Sequence, residues 1–251
     1  MLAVVVALPA QLLLWPPPWH HRLRTGVVHA LEAIEQVLAQ RTGVDADVDP
    51  TSASEALAAS AEAAAALHQV FEATPVRPTP SSRRGLAMAK LVDDVEWLHS
   101  SVRLAAQDDG GAHGEADHVR SVWDAVARLV AAARALLAAG VAGSASRAEA
   151  ATAVEQAVLD LRAAREHQAH VVARDLVERA LAAAGPTSEQ LLVDARGALH
   201  ARQVADAAEH LGRHALAATG REVSEGEPES AADASTAVVL QGDAASARPE
   251  V

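Results

Sequence analysis

The sequence predicts an all-α protein, an elongated antiparallel bundle of about six helices. Three observations predict it. Alanine, the residue with the highest helix propensity, fills about a quarter of the 251 positions. Leucine, valine and isoleucine recur at spacings of three and four rather than two. Short runs rich in Pro, Gly, Asp and Ser separate the periodic stretches. Aromatics are only 2% of the chain, so the seams between helices must be thin and built from Ala, Leu and Val.

The chain divides into three parts: 1–18, an apolar segment and Pro-rich junction; 19–219, a helical bundle; and 220–251, an acidic tail. Met1 to Trp15 is apolar and uncharged. A spanning helix needs about 20 such residues, and no basic residues precede the run as in a signal peptide. It reads as the last part of a transmembrane helix, the alternative being a buried first helix. Pro16, Pro17 and Pro18 stop any helix there. Trp15 and Trp19 flank them as interfacial aromatics would, and His20, His21, Arg22 and Arg24 then mark the cytoplasmic side.

The first bundle helix is expected over about 19–41, with Leu23, Val27, Leu31, Ile34 and Leu38 on one face. Gly43 to Pro50 is a turn, after which Ser52 and Glu55 have capping-box spacing. The second helix reaches about Ala73, anchored by Leu57, Leu67, Val70 and Phe71, and pairs antiparallel with the first. Thr74-Pro75 and Thr79-Pro80 give an extended connector. Ser81 or Ser82 caps a third helix over about 83–106, which buries Leu91, Val95, Leu98 and Val102 and turns Asp93, Asp94 and Glu96 away. Phe71 and Trp97 are expected as large core anchors at the two ends of this stretch.

A fourth helix over about 116–139 is the most apolar of the bundle, with Val119, Val122, Trp123, Val126, Leu129, Val130, Leu136 and Leu137. A fifth, about 147–184, has a seam of Val154, Val158, Leu161, Val172, Leu176 and Leu181 that lapses near Glu166 to His170. Gly185-Pro186 ends it. A sixth runs from about Thr187 to Thr219 through Leu192, Leu199, Val204, Leu211 and Leu216, weakened at Gly197 and Gly212. Beyond Gly220 the periodicity fails, and seven acids against two arginines indicate a disordered tail.

The net charge of −12, with no Tyr and one Phe, argues against nucleic acid as a partner. The absence of Cys excludes disulfides, thiolate metal sites and Cys nucleophiles. No phosphate loop or nucleophile elbow is present, so no catalytic residue, cofactor or enzyme activity is expected. His167 and His170, at i, i+3, and His210 and His214, at i, i+4, could each offer two imidazoles to a metal. Solvated helix-face histidines are the simpler reading, and no metal site is assigned. Asp93, Asp94 and Glu96 read as an exposed acidic face that pairs with Arg83, Arg84 or Arg103 rather than as acid/base carboxylates.

The stretch ATPVRPTPSSRRGLAMAKLVDDVEWL, 73–98, resembles the FUSC family, the fusaric-acid-resistance-like and aromatic-acid-exporter membrane proteins of high-GC bacteria. Family members carry an "F-ATP-RPT" loop followed by an "ALA-LVDELEWL" helix. The corresponding residues are Phe71, Ala73, Thr74, Pro75, Arg77, Pro78 and Thr79, then Leu86, Ala87, Ala89, Leu91 to Trp97 and Leu98. The junction LLLWPPPWHHRLR also resembles the family's exit from its first membrane block. The resemblance spans roughly 12–218 and is specific only at these two places. It implies a cytoplasmic helical domain between two blocks of transmembrane helices, and efflux of small aromatic or amphipathic acids across the inner membrane. The first block is almost wholly absent here and the acidic tail stands where the second would be. The expectation is therefore the central domain of a truncated member without a pore, held to the plasma membrane by its N-terminal segment and oligomerising through its helices. The competing expectation is a soluble Ala-rich helical interaction protein with no transport role.

Overall fold

Among the described residues six helices alternate in direction along the chain. A computed structural model describes residues 19–42, 50–74, 83–108, 117–141, 144–181 and 188–221. The helices are α1 (Trp19–Thr42), α2 (Pro50–Glu72), α3 (Arg83–Asp108), α4 (Asp117–Ala138), α5 (Ser144–Leu181) and α6 (Ser188–Thr219), with a single 3-10 turn, Ala139–Val141, after α4. No strand occurs among the described residues. The apolar N-terminal segment, the 75–82 connector with its Ser81 or Ser82 cap, the Gly185-Pro186 stop and the acidic tail all lie outside the described residues.

The apolar stripes read from the sequence form the core. Leu23, Val27, Leu31, Ile34 and Leu38 of α1 are buried, as are Leu91, Val95, Leu98 and Val102 of α3. The whole expected face of α4 is buried around Trp123, the largest fully buried side chain. α4 occupies the centre and packs against α1, α5 and α6. α3 packs against α6, α1 and α2, while α2 and α5 lie on the outside of α1 and α4. The chain is thus two three-helix halves, α1–α2–α3 and α4–α5–α6, that meet through α1 on α4 and α3 on α6.

Antiparallel pairing follows from which residues face each other. Gln40 near the end of α1 donates to Ser52 Oγ (2.9 Å) near the start of α2, and Gly26 at the other end of α1 lies against Leu67. The expected capping box is replaced by this contact: Pro50 already occupies the first helical position, where its missing N–H costs nothing, and Ser52 sits inside the first turn. α2 buries small residues, Ala56, Ser60 and Ala64, with Leu67 as its one fully buried large side chain. Leu57, Val70 and Phe71 are only half-buried.

Three further expectations are corrected. Trp97 is 44% exposed at the edge of the α3–α6 contact, its ring tilted over His210, and is not a core anchor. Asp94 is 7% exposed instead of facing solvent. Leu199 is 52% exposed because it lies on the outward face of α6, next to the buried His200 and Ala201, at the base of the arm that α5 and α6 form beyond this level. From Ala169 onward every described α5 side chain is at least partly exposed.

The two α6 glycines have opposite roles. A Cβ at Gly212 would stand 3.0 Å from Leu129 Cδ1 and 3.3 Å from Val158 Cγ2, so this glycine sets the approach of α6 to α4 and α5. Nothing lies within 4 Å of a Cβ at Gly197. Gly197→Ala is expected to stabilise by about 0.5–1 kcal/mol through helix propensity alone. Gly212→Val is expected to cost roughly 1–3 kcal/mol by overpacking. Urea denaturation of both variants checks the pair; equal shifts of the two would contradict this packing.

Candidate functional site

α1, α3 and α5 start, and α2, α4 and α6 finish, at the same end of the bundle. Arginines collect there. In the outermost two turns of each helix at this end, and just past α6, stand Arg22, Arg24, Arg83, Arg84, Arg134, Arg147, Arg213 and Arg221, with Glu72 and Glu149 as the only acids among these described residues. The whole chain has 33 acidic residues against 21 basic ones, so the end is opposite in sign to the protein as a whole.

A cavity of about 330 Å³ opens between these helices, lined by Arg24 of α1, Arg84 and Met88 of α3, Leu137 and Gly140 after α4, Arg147 of α5, and Ala218 and Thr219 of α6. A second, of about 260 Å³, continues past Arg147 and Thr219 to Ala148, Ala151, Gly220 and Arg221. The backbone is shaped to admit the guanidinium groups. α6 ends in a left-handed Gly220 (φ 87°), where the Gly220 N–H bonds Ala217 O (3.0 Å) and the Arg221 N–H bonds Leu216 O (3.1 Å). A side chain at Gly220 would overlap Arg84 Nη2, and one at Gly140 would overlap Arg24 Nη1.

Two of the arginines already have partners. Arg147 Nη2 donates to Gly140 O (3.1 Å), complementing the carbonyl end of α4. Arg221 pairs with Glu155 (2.9 Å) and reaches Ala148 O (3.3 Å). Thr219 already donates its hydroxyl to Leu216 O (2.8 Å). Arg24 and Arg84 have neither a carboxylate nor a carbonyl partner among the described residues. The arrangement can neutralise an anion over an apolar floor of Met88, Leu137 and Ala218. It offers no nucleophile and no acid/base pair.

The histidines and carboxylates read from the sequence do a different job. Asp94 bonds His214 Nδ1 of α6 (2.5 Å), and Glu96 bonds His68 Nδ1 of α2 (2.5 Å). α3 is therefore tied to a neighbour on each side, and the expected pairing of these acids with Arg83, Arg84 or Arg103 is replaced by histidines 120 and 28 residues away. The hydrogen bond to Glu96, and behind it the charges of Glu96 and Glu72, hold His68 above the ordinary histidine value. Burial, with the Arg103 charge adding to it, pushes His99 below that value. Ser60 donates to Leu57 O (2.9 Å), so its oxygen accepts at His99 Nδ1 (3.1 Å), which assigns the neutral ring a proton on Nδ1.

His210 and His214 lie 6.3 Å apart, centroid to centroid, whereas His167 and His170 are exposed near the base of the arm. Although α5 and α6 are neighbours, Arg165 faces Asp206 and Glu209, so the two histidine pairs stand at different heights. Among the described residues no group of three or more His, Cys, Asp or Glu could hold a metal ion. The arginine cavity has no sequence signature because its residues span 24 to 219 and form no motif. Only the folded alternation of helix directions brings them together. Comparison of the chain with protein-family models, with curated proteins and with solved structures finds no match in any of the three.

Proposed function

We propose that the chain is a non-catalytic helical domain of a FUSC-like membrane efflux protein, standing on the cytoplasmic side of the plasma membrane with its arginine end toward the lipid. One observation carries this reading. α1 begins at the end where the arginines collect, so the apolar stretch 1–15 joins the bundle at its most cationic surface. Cationic residues beside an apolar segment favour the anionic cytoplasmic face of a membrane. No helix among the described residues is long and apolar enough to cross a membrane, so attachment in this reading rests on the N-terminal segment.

The test is fractionation of the full chain expressed in a bacterium. It is expected in the membrane fraction and resistant to a high-salt wash. Recovery in the supernatant with residues 1–15 intact would sink the membrane reading. In this reading the chain is a portion without a pore, so its expression alone is expected to leave the tolerated concentration of an aromatic carboxylic acid unchanged, and raised tolerance would overturn that assignment.

A second reading, a helical interaction protein, is favoured by the α5–α6 arm with its exposed Val177 and Leu199 and by Leu86, Trp97 and Leu104 on one face of α3. A soluble oligomer by light scattering would select it.

A further inference from the structure

We propose that the arginine-lined cavity is a binding site for a phosphate ester, either a phospholipid headgroup or a small free phosphomonoester. The site is built from separate helices: Arg24, Arg84 and Arg147 converge from α1, α3 and α5, and no acidic side chain lines the space between them. A planar guanidinium fork matches the oxygens of a phosphate, and forks arriving from three directions suit a group with several oxygens better than a carboxylate with two.

A helix-end carbonyl accounts for Arg147, and Glu155 with Ala148 O for Arg221, but nothing among the described residues uses the donors of Arg24 and Arg84. Both of these guanidinium groups lie against a glycine, in positions a side chain there would block. The volume, about 330 Å³, is roughly that of ten waters, enough for a phosphate and a glycerol-sized body. Met88, Leu137 and Ala218 give that body an apolar surface. The inference does not depend on the efflux reading, since a soluble protein with this cavity would take the same group.

The experiment uses the full chain and two probes: glycerol 3-phosphate in solution, followed by calorimetry, and vesicles of phosphatidylglycerol compared with phosphatidylcholine, followed by co-sedimentation. Arg24→Ala and Arg84→Ala are each expected to weaken binding at least tenfold. Gly140→Ala is the decisive variant. It keeps every charge, sits at a backbone position open to alanine, and its methyl would overlap Arg24 Nη1, so the Arg24 fork must leave its present position. It should lose binding while retaining helicity and thermal stability.

Saturable binding of glycerol 3-phosphate that Gly140→Ala abolishes assigns a free phosphomonoester. A preference for phosphatidylglycerol that Gly140→Ala abolishes, without binding of the soluble probe, assigns a lipid headgroup. Binding unchanged in Gly140→Ala, or no binding of either probe, overturns the proposal and leaves Arg147 and Arg221 with only their contacts to Gly140 O, Glu155 and Ala148 O. Membrane attachment through residues 1–15 would persist in either case and so is read separately.

Discussion

Trp123→Ala is expected to lower the stability of the bundle by roughly 3–5 kcal/mol, the range for emptying a fully buried aromatic site. Trp123 is 1% exposed in the second turn of α4, the helix that contacts α1, α5 and α6. It is also the support for Arg41, whose guanidinium carbon sits 4.0 Å from the ring centroid. Losing that cation–π contact adds about 0.5–1 kcal/mol, because an arginine stem is left without its packing surface. Alanine-rich seams around the site have few large side chains with which to refill the space. Trp123→Phe keeps a ring and is expected to recover more than half of the loss. Thermal unfolding followed by circular dichroism reads both. A fall in Tm of only a degree or two for Trp123→Ala would mean that the core closes over the gap.

Glu209→Ala is expected to cost about 2–4 kcal/mol, and the loss should depend on pH. Glu209 is 7% exposed on α6 and is held by Arg162 (2.8 Å), Arg165 (2.9 Å) and Arg213 (2.7 Å). Removing it leaves three guanidinium groups crowded between α5 and α6 without their shared counter-charge. The arginines are partly exposed, which screens that repulsion and holds the figure below that of a fully buried triad.

Burial pushes the Glu209 carboxyl up, but the hydrogen bond and charge of Arg162, together with the charges of Arg213 and Arg165, outweigh it and leave the group below its ordinary 4.5. A carboxyl with a depressed folded value contributes stability that is complete above its unfolded value and disappears as the pH falls through the folded one. The gap between wild type and Glu209→Ala in urea melts is therefore expected to be full at pH 7 and to narrow progressively once the pH falls below 4.5. A gap that stays constant down to pH 3 would show that packing, not charge, is what Glu209 supplies.

The fold was legible because its signal is local. Leu23, Val27, Leu31, Ile34 and Leu38 repeat with the helix period, and that pattern alone settles which face of α1 is buried. The same holds for α4. Where the reading failed, the deciding contact came from far along the chain. Asp94 looks solvated beside Asp93 and Glu96, and only His214 arriving on α6 makes its burial tolerable. Trp97 was assigned to the core on size, yet its position lies at the margin of the α3–α6 contact. Gly212 looked like a weak point in a helix, which is true of propensity but not of packing. The arginine cavity left no trace in the sequence beyond unremarkable single residues. What the sequence does record is the condition for it: an even number of alternating helices, which returns the starts of α1, α3 and α5 to one end.

The division into two three-helix halves has a consequence for how the chain reaches its folded state. Within each half, every pairing joins elements that are near neighbours along the chain, so their closure is entropically cheap and early. The contacts of α1 with α4 and of α3 with α6 span the two halves and must come later. Until then each half holds a finished secondary structure with an apolar flank still in water. The flank that completes the molecule is also the flank that a second, half-assembled chain can occupy. The segment 109–116 is the only covalent tie between the halves. It raises the local concentration of the correct partner, and its length sets how strongly intramolecular docking outcompetes exchange between chains.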